Sequence, residues 1–454
     1  MRSWVFGAGV AAGAFWAGLS AQAQMDDVTM PGGEKKAPPA VLKESEFKEW
    51  AAKPGAVVFD LQYKGLTDKE INQANSFWGY GSQSPKTAFI KSVGLAKDKG
   101  IQFHLPLLRG SDEGFLEYEG KTAKAVYLDL DGDGKLGKGE KLEPVGKPKD
   151  ENEGWNFVSP DFTATLADGK KVPFRVMVRV NFYDERPQVM CAPFCFWEGK
   201  AKLGDAETTL RLTDGGFDGS FVDFGRDSVA LVKKTDDPNQ NQMPQSTLSS
   251  LTCQDKVFYQ LRFTGEGTKE KPLRAVLCKD NTPTGKVEVK MVEIAAEPKL
   301  RSARLVSTET PSILFDINGA DMAIPQGRYR MERGSLSFGK NDTGMVSFSN
   351  GPECRIEAGK TATVELGQPK LKVVAIEESK RDSTMSDNKG EARTSFPAGT
   401  DLYLDLKLTG KQGEEYGSIY GRSEKGEYLP PAKPHLTILG PDGKEVASSD
   451  LEFG

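Results

Sequence analysis

The feature that most constrains this chain is a two-residue rhythm of apolar side chains. In "FRVMVRV", Phe174, Val176, Val178 and Val180 fall on one side, and "VFYQLRF" repeats this with Val257, Tyr259, Leu261 and Phe263. "DLYLDLKL" alternates without a miss at Leu402, Leu404, Leu406 and Leu408. Successive side chains of an extended backbone point to opposite faces, so this spacing buries one face and leaves the other wet. Turn strings such as "ADGK" at 167–170 and "PDGK" at 441–444 separate the runs. The expected fold is mainly β, with several antiparallel β-sandwich or barrel-like domains.

Only the region after residue 42 breaks that rhythm. In "ESEFKEWAAK", Phe47, Trp50 and Ala51 share a helical face before Pro54-Gly55. In "TDKEINQANSFW", Thr67 and Glu70 have capping-box spacing, and Ile71, Ala74 and Trp78 form a stripe. Two short N-terminal helices are therefore expected.

A chain of 454 residues suggests about two to four domains. Two polar stretches, "KKTDDPNQNQMPQSTLSS" (233–250) and "ESKRDSTMSDNKGEAR" (378–393), mark the divisions. They delimit an N-terminal β-rich domain at 43–235, an immunoglobulin-like or transthyretin-like β domain at 250–377, and a C-terminal sandwich-like segment at 391–454. Ahead of them, Arg2, the apolar run Trp4 to Leu19 and the small-x-small site Ala21-Gln22-Ala23 read as a signal peptide spanning 1–23. The polar, Pro/Gly-rich residues 24–42 read as a linker. The mature chain is then periplasmic or secreted, with no membrane span once the signal is removed. The net charge of −5, and the absence of a basic cluster, argue against nucleic acid.

The five cysteines are an odd number for a disulfide framework. Cys253 and Cys278 lie in β-like runs around the hairpin "GEGTKEKP" and can face each other; Cys191 and Cys195 in "CAPFCFW" can also pair. Buried free thiols are the remaining alternative.

The most specific string is "YLDLDGDGKLGKGEKL" at 127–142. Counted from Asp129, carboxylates stand at the first, third and fifth places (Asp129, Asp131, Asp133), Gly134 at the sixth and Glu140 at the twelfth. This resembles the calcium loop of the EF-hand family, over these residues only. The resemblance implies Ca2+ as cofactor, held by Asp129, Asp131 and Asp133, by the backbone carbonyl of Lys135 and by a bidentate Glu140. It also gives Gly134 the sharp turn, Leu136 the apolar position and Gly137 room for a bridging water. The flanks depart from the family. "AKAVYL" is β-like, and "KLEPVGKP" holds at most one helical turn before Pro144. A sensor works by rotating two helices, and here there are none to rotate. The expected ion staples one strand to its successor, as a standing site in a compartment where calcium is abundant.

A second stretch, "LRLTDGGFDGSFVDFGRDSVALV" (209–231), repeats the idea loosely. Aligning Asp218-Gly219 with Asp133-Gly134 puts Asp214 under Asp129 and Phe221 under Leu136, with Asp223 and Asp227 near the end. One carboxylate is missing and Gly225 stands at the twelfth place. Asp214, Asp218 and Asp223 make a possible second metal loop; an Asp/Gly-rich hairpin is the plainer reading. Two strand–acidic loop–strand units suggest a duplicated module. Taken whole, the chain resembles exported bacterial proteins that join such loops to β-sandwiches, a likeness that carries no activity.

No nucleophile elbow, P-loop, zinc spacing or dinucleotide fingerprint is present. The two histidines, His104 and His435, lie in strand-like runs without triad partners. The aromatic groups "FWGYG" (77–81) and "FCFW" (194–197) read as core ahead of sugar platforms. The expected function is a noncatalytic, calcium-binding structural or binding protein, with a cell-envelope glycan or protein as its kind of partner. The alternative is a calcium-stabilised hydrolase or carbohydrate-binding protein on extracellular polysaccharide, which needs two carboxylates at glycosidase separation.

Overall fold

The computed structural model describes residues 41–67, 78–80, 82–83, 100–104, 113–130, 139–148, 154–166, 169–183, 186–233, 246–292, 298–310, 312–319, 322–338, 344–377, 402–422, 428–429, 435–439 and 442–450. The expected signal peptide and nearly all of the linker lie outside these residues. So does the second expected helix apart from its two end residues: Thr67 is described without regular structure, and Trp78 opens a short strand, Trp78–Tyr80. One helix is present among the described residues, Glu44–Ala51. The Lys43 N–H donates to Glu46 Oε2 at 3.0 Å at its start. Phe47, fully buried, packs with Trp50 and Ala51 against Val276, Cys278 and Val58, the face expected from the sequence. Among the described residues, all else that is regular is strand.

The first core lies between several antiparallel sheets. One orders Val57–Asp60, Arg274–Lys279, Val257–Thr264 and Leu251–Gln254. Another runs Ser246–Thr247, Ser228–Lys233, Ala206–Thr213, Cys195–Leu203 and Gln62–Gly65. A third is a meander from Ser82–Gln83 through Gly100–His104, Glu113–Glu119 and Thr122–Leu128 to Lys141–Leu142. Phe59, Leu116, Phe157, Phe174, Val178, Leu210, Leu261 and Phe263 come from different sheets and share one apolar cluster. The expected division at 233–250 is bridged here, because strand 57–60 pairs with strand 274–279 on the far side of it.

The second core is a sandwich. A small sheet holds Thr284–Met291 between Ile324–Pro325 and Thr361–Leu366, and the 284–291 and 361–366 strands run parallel. It faces a larger sheet containing Leu314–Asn318, Lys299–Ser307, Gly327–Phe338 and Gly344–Ser349. That sheet continues through Glu415–Arg422 and Leu402–Thr409 to Lys370–Glu377. Residues beyond the expected division at 378–393 thus extend the same sheet, while His435–Leu439 and Glu445–Asp450 form a separate hairpin. The His435 and Asp450 side chains meet across that hairpin at 2.7 Å.

The two cores join at a seam of serines. Ser249 Oγ accepts the N–H groups of Leu251 and Leu314 at 3.1 and 3.0 Å and donates to Ser312 O at 3.1 Å. Ser250 Oγ donates to Ser312 O at 3.0 Å, and Phe258 meets Phe315 edge-on at 5.2 Å between centroids.

Candidate metal-binding loops

Both acidic loops close antiparallel hairpins, and both units are built alike. Strand 113–119 turns through Gly120-Lys121 into strand 122–128, the first acidic loop follows, and strand 141–142 returns. Strand 195–203 turns through Gly204-Asp205 into strand 206–213, the second acidic loop follows, and strand 228–233 returns. Gly120 and Gly204 both have positive φ, +56° and +65°, which a glycine supplies at the first place of a tight hairpin turn. The shared strand–turn–strand–acidic loop–strand order supports the duplication suggested by the sequence.

In the first loop the described residues are the two ends. Asp129 and Glu140, the first and twelfth places, are both buried. The Leu128 N–H donates to Glu140 O at 3.0 Å, and the Leu130 N–H donates to Glu140 Oε1 at 2.8 Å. The ladder between strands 122–128 and 141–142 therefore brings the loop ends together without flanking helices. Asp131, Asp133 and Lys135 lie outside the described residues.

The second loop is described throughout. The ladder ends at the Thr213–Ser228 pair, so Asp214 and Asp227 follow at its neck, and both are fully buried. Asp214 accepts the Asp218 N–H at 3.4 Å through Oδ1 and the Gly219 N–H at 2.8 Å through Oδ2. Asp227 Oδ1 accepts the N–H groups of Gly215 and Gly216 at 3.0 and 3.4 Å, and its Oδ2 accepts the Asp223 N–H at 2.6 Å. Gly219 has φ +79°, the left-handed turn that its alignment with Gly134 calls for, and a β-carbon there would collide with Leu166. Phe217 and Phe221 anchor the loop by packing on Phe174, each at 6.1 Å between centroids. Phe217 holds φ +54° to do so, a strained value for a non-glycine residue.

These aspartates raise one another's pKa. Burial, then the charge of Asp218, lifts Asp214 well above the carboxylate range. Burial, then Asp214, does the same to Asp227, and burial followed by Asp218 lifts Asp223. Such a cluster is relieved by protons or by a cation. As arranged, the backbone N–H groups satisfy much of it, and among the described residues no group of three or more His, Cys, Asp or Glu side chains is placed to hold a metal ion. Asp227 was missing from the metal set read from the sequence. The twelve-place count ends at Gly225, whereas the hairpin ladder, not the count, decides which residue lies beside Asp214.

Beside the Asp214 end of that sheet lies a polar cluster. Tyr63 Oη donates to Asp161 Oδ1 at 3.0 Å, and Arg175 Nε donates to the same oxygen at 2.9 Å. Cys195 is buried, with Sγ at 3.6 Å from Arg175 O, and burial is the main cause that pushes its pKa up to about 12. A nucleophilic cysteine needs the thiolate, so this thiol is held in its unreactive form. All five cysteines are free. The expected Cys253–Cys278 facing does not occur, because strand 257–264 lies between strands 251–254 and 274–279. The cause is a turn at Asp255-Lys256 with both residues at positive φ, which no Gly or Asn announces. Phe194, Phe196 and Trp197 are core, as expected, and the buried Trp197 Nε1 has no hydrogen-bond acceptor.

Comparison with family models, curated proteins and solved structures finds no match. No helix among the described residues is long and apolar enough to cross a membrane.

Proposed function

We propose that the protein is an exported, calcium-binding β protein with a structural or binding role at the cell envelope, the ion fixing the 122–142 hairpin. The observation that carries this reading is the pair of buried carboxylates, Asp129 and Glu140, held at the two ends of a loop whose spacing matches a calcium loop throughout. Carboxylates gathered out of water destabilise one another unless a cation or protons neutralise them. With strands rather than helices on either side, the ion has a loop to stiffen and no groove to open. The hydrolase alternative gains nothing from the other acidic pair, since Asp214 and Asp227 are fully buried and closed to a substrate.

Thermal melting of the mature chain tests the proposal. Calcium at 1 mM on a site of about 10⁻⁴ M stabilises by RT ln(1 + [L]/Kd), about 1.4 kcal/mol. That corresponds to a melting temperature lowered by about 1.5–3 °C when EGTA removes the ion. The Asp129→Ala variant should melt low and ignore calcium. If wild type melts identically in calcium and EGTA, and Asp129→Ala changes nothing, the calcium role is rejected.

A further inference from the structure

The chain contains two Asn-Gly pairs, Asn318-Gly319 and Asn350-Gly351, and the fold treats them differently. Both asparagines are exposed. Asn318 ends strand 314–318, and Asn350 leads from strand 344–349 towards strand 353–356. The Gly319 N–H donates to Arg301 O at 2.9 Å. The Gly351 N–H has no acceptor among the described residues.

Asn350 holds φ +53°, in the left-handed region that asparagine tolerates better than most residues. Its side-chain amide makes no hydrogen bond among the described residues. The turn is pinned on either side of Gly351. The Asn350 N–H donates to Glu332 O at 2.8 Å, and Pro352 O accepts the Met331 N–H at 3.2 Å. Between those bonds Gly351 is buried beside Met331 and Phe348. A buried N–H without a partner is a cost that folded chains avoid. This one surrenders no bond when its nitrogen turns to another group.

We propose that Asn350 is a site of self-modification, in which the Gly351 nitrogen closes on the Asn350 side chain and converts it to aspartate and isoaspartate. The nitrogen loses its proton and bonds to Asn350 Cγ, the bond from Cγ to the side-chain nitrogen breaks, and ammonia leaves. Water then opens the cyclic imide. Opening at Cγ gives aspartate; opening at the main-chain carbonyl gives isoaspartate, with the chain now running through Cγ. An amide and water become an acid and ammonia, with no oxidant or metal. Glycine leaves the attacking nitrogen unhindered by a β-carbon. Asn318 has the same neighbour, but Gly319 must first give up its bond to Arg301. Isoaspartate lengthens the link between strands 344–349 and 353–356, which both pair with strand 327–338. The bonds to Glu332 and from Met331 then fall out of step, so conversion loosens this edge of the second sandwich.

The test is incubation of the full chain at pH 8 in EGTA, followed by peptide mapping with mass spectrometry. The Asn350 peptide should gain the mass of an amide exchanged for an acid, and isoaspartyl methyltransferase should label it. Asn350 should convert about tenfold faster than Asn318, the rate equivalent of one backbone hydrogen bond that must break first. In guanidinium chloride, where neither glycine is bonded or packed, the two pairs should convert at similar rates. Equal or faster conversion at Asn318 in the native protein overturns the proposal. So does an Asn350 peptide that changes only in denaturant, or a difference between the pairs that persists in denaturant. Calcium is absent throughout, so failure here leaves the melting test of the first loop untouched.

Discussion

Replacing Asp227 by Asn sets two effects against each other, and the pH decides which wins. Both oxygens of Asp227 are engaged, Oδ1 by Gly215 and Gly216 and Oδ2 by Asp223. An amide has one oxygen, so in either orientation its NH2 faces a buried backbone N–H. A protonated carboxyl oxygen still keeps a lone pair for that N–H, and an amide nitrogen does not. One orphaned buried donor costs about 1–3 kcal/mol. Relief of charge acts the other way. Burial and Asp214 raise the pKa of Asp227, so the native state keeps a proton that the unfolded chain releases above about pH 4. Native stability from this group therefore falls as pH climbs from the unfolded pKa through the folded one, by about 1.4 kcal/mol for each unit between them. The variant carries no such burden. Urea unfolding followed by circular dichroism in EGTA should find Asp227→Asn less stable by about 1–3 kcal/mol at pH 4.5. The difference should narrow or reverse by pH 8. A difference that stays constant or widens with pH refutes the reasoning. Recovery of the full difference at pH 8 on adding millimolar calcium would place an ion in this loop.

Three further outcomes follow from the geometry. Gly219→Ala forces a β-carbon into the left-handed region, with only the movable Cδ2 end of Leu166 in its way, and should cost about 1–2 kcal/mol in urea unfolding; a loss below about 0.5 kcal/mol would contradict the turn. Ser249→Ala removes the acceptor of two buried N–H groups at the seam between the cores, and should cost about 2–5 kcal/mol by the same assay, more than an exposed Ser→Ala change. Iodoacetamide at pH 8, read by mass spectrometry, should leave Cys191 and Cys195 unlabelled in the native protein, since burial pushes both thiols up. Urea without reductant should expose all five cysteines to label, and a pair that stays unlabelled would reveal a disulfide.

How much was legible beforehand depends on how local the cause was. Val176, Val178 and Val180 alternate in the sequence and are fully buried in the structure, because side-chain direction in a strand is a local property. The helix at Glu44–Ala51 was equally plain from Phe47, Trp50 and Ala51. The turn at Asp255-Lys256 was not, since Lys256, which rarely adopts positive φ, stands where a glycine would signal the hairpin, and missing it put Cys253 on the wrong neighbour of Cys278. The acidic loops were visible as spacing, but the partnership of Asp214 with Asp227 depends on hairpin register, which a motif count does not contain. Pairing between strands 57–60 and 274–279 is non-local altogether and left no sign in either string.

That last pairing bears on the order of events as the chain emerges. A polypeptide delivered from its N-terminus presents residues 57–60 long before their hydrogen-bonding neighbour exists, and strand 284–291 likewise waits for 361–366. Contacts between segments so distant along the chain slow folding, because loop closure must come before they are rewarded. Until the late strands arrive, the early ones have open edges that could join other chains. Such a protein needs time, dilution or an attending chaperone during its birth, and truncation before residue 274 should leave its N-terminal half unable to seal.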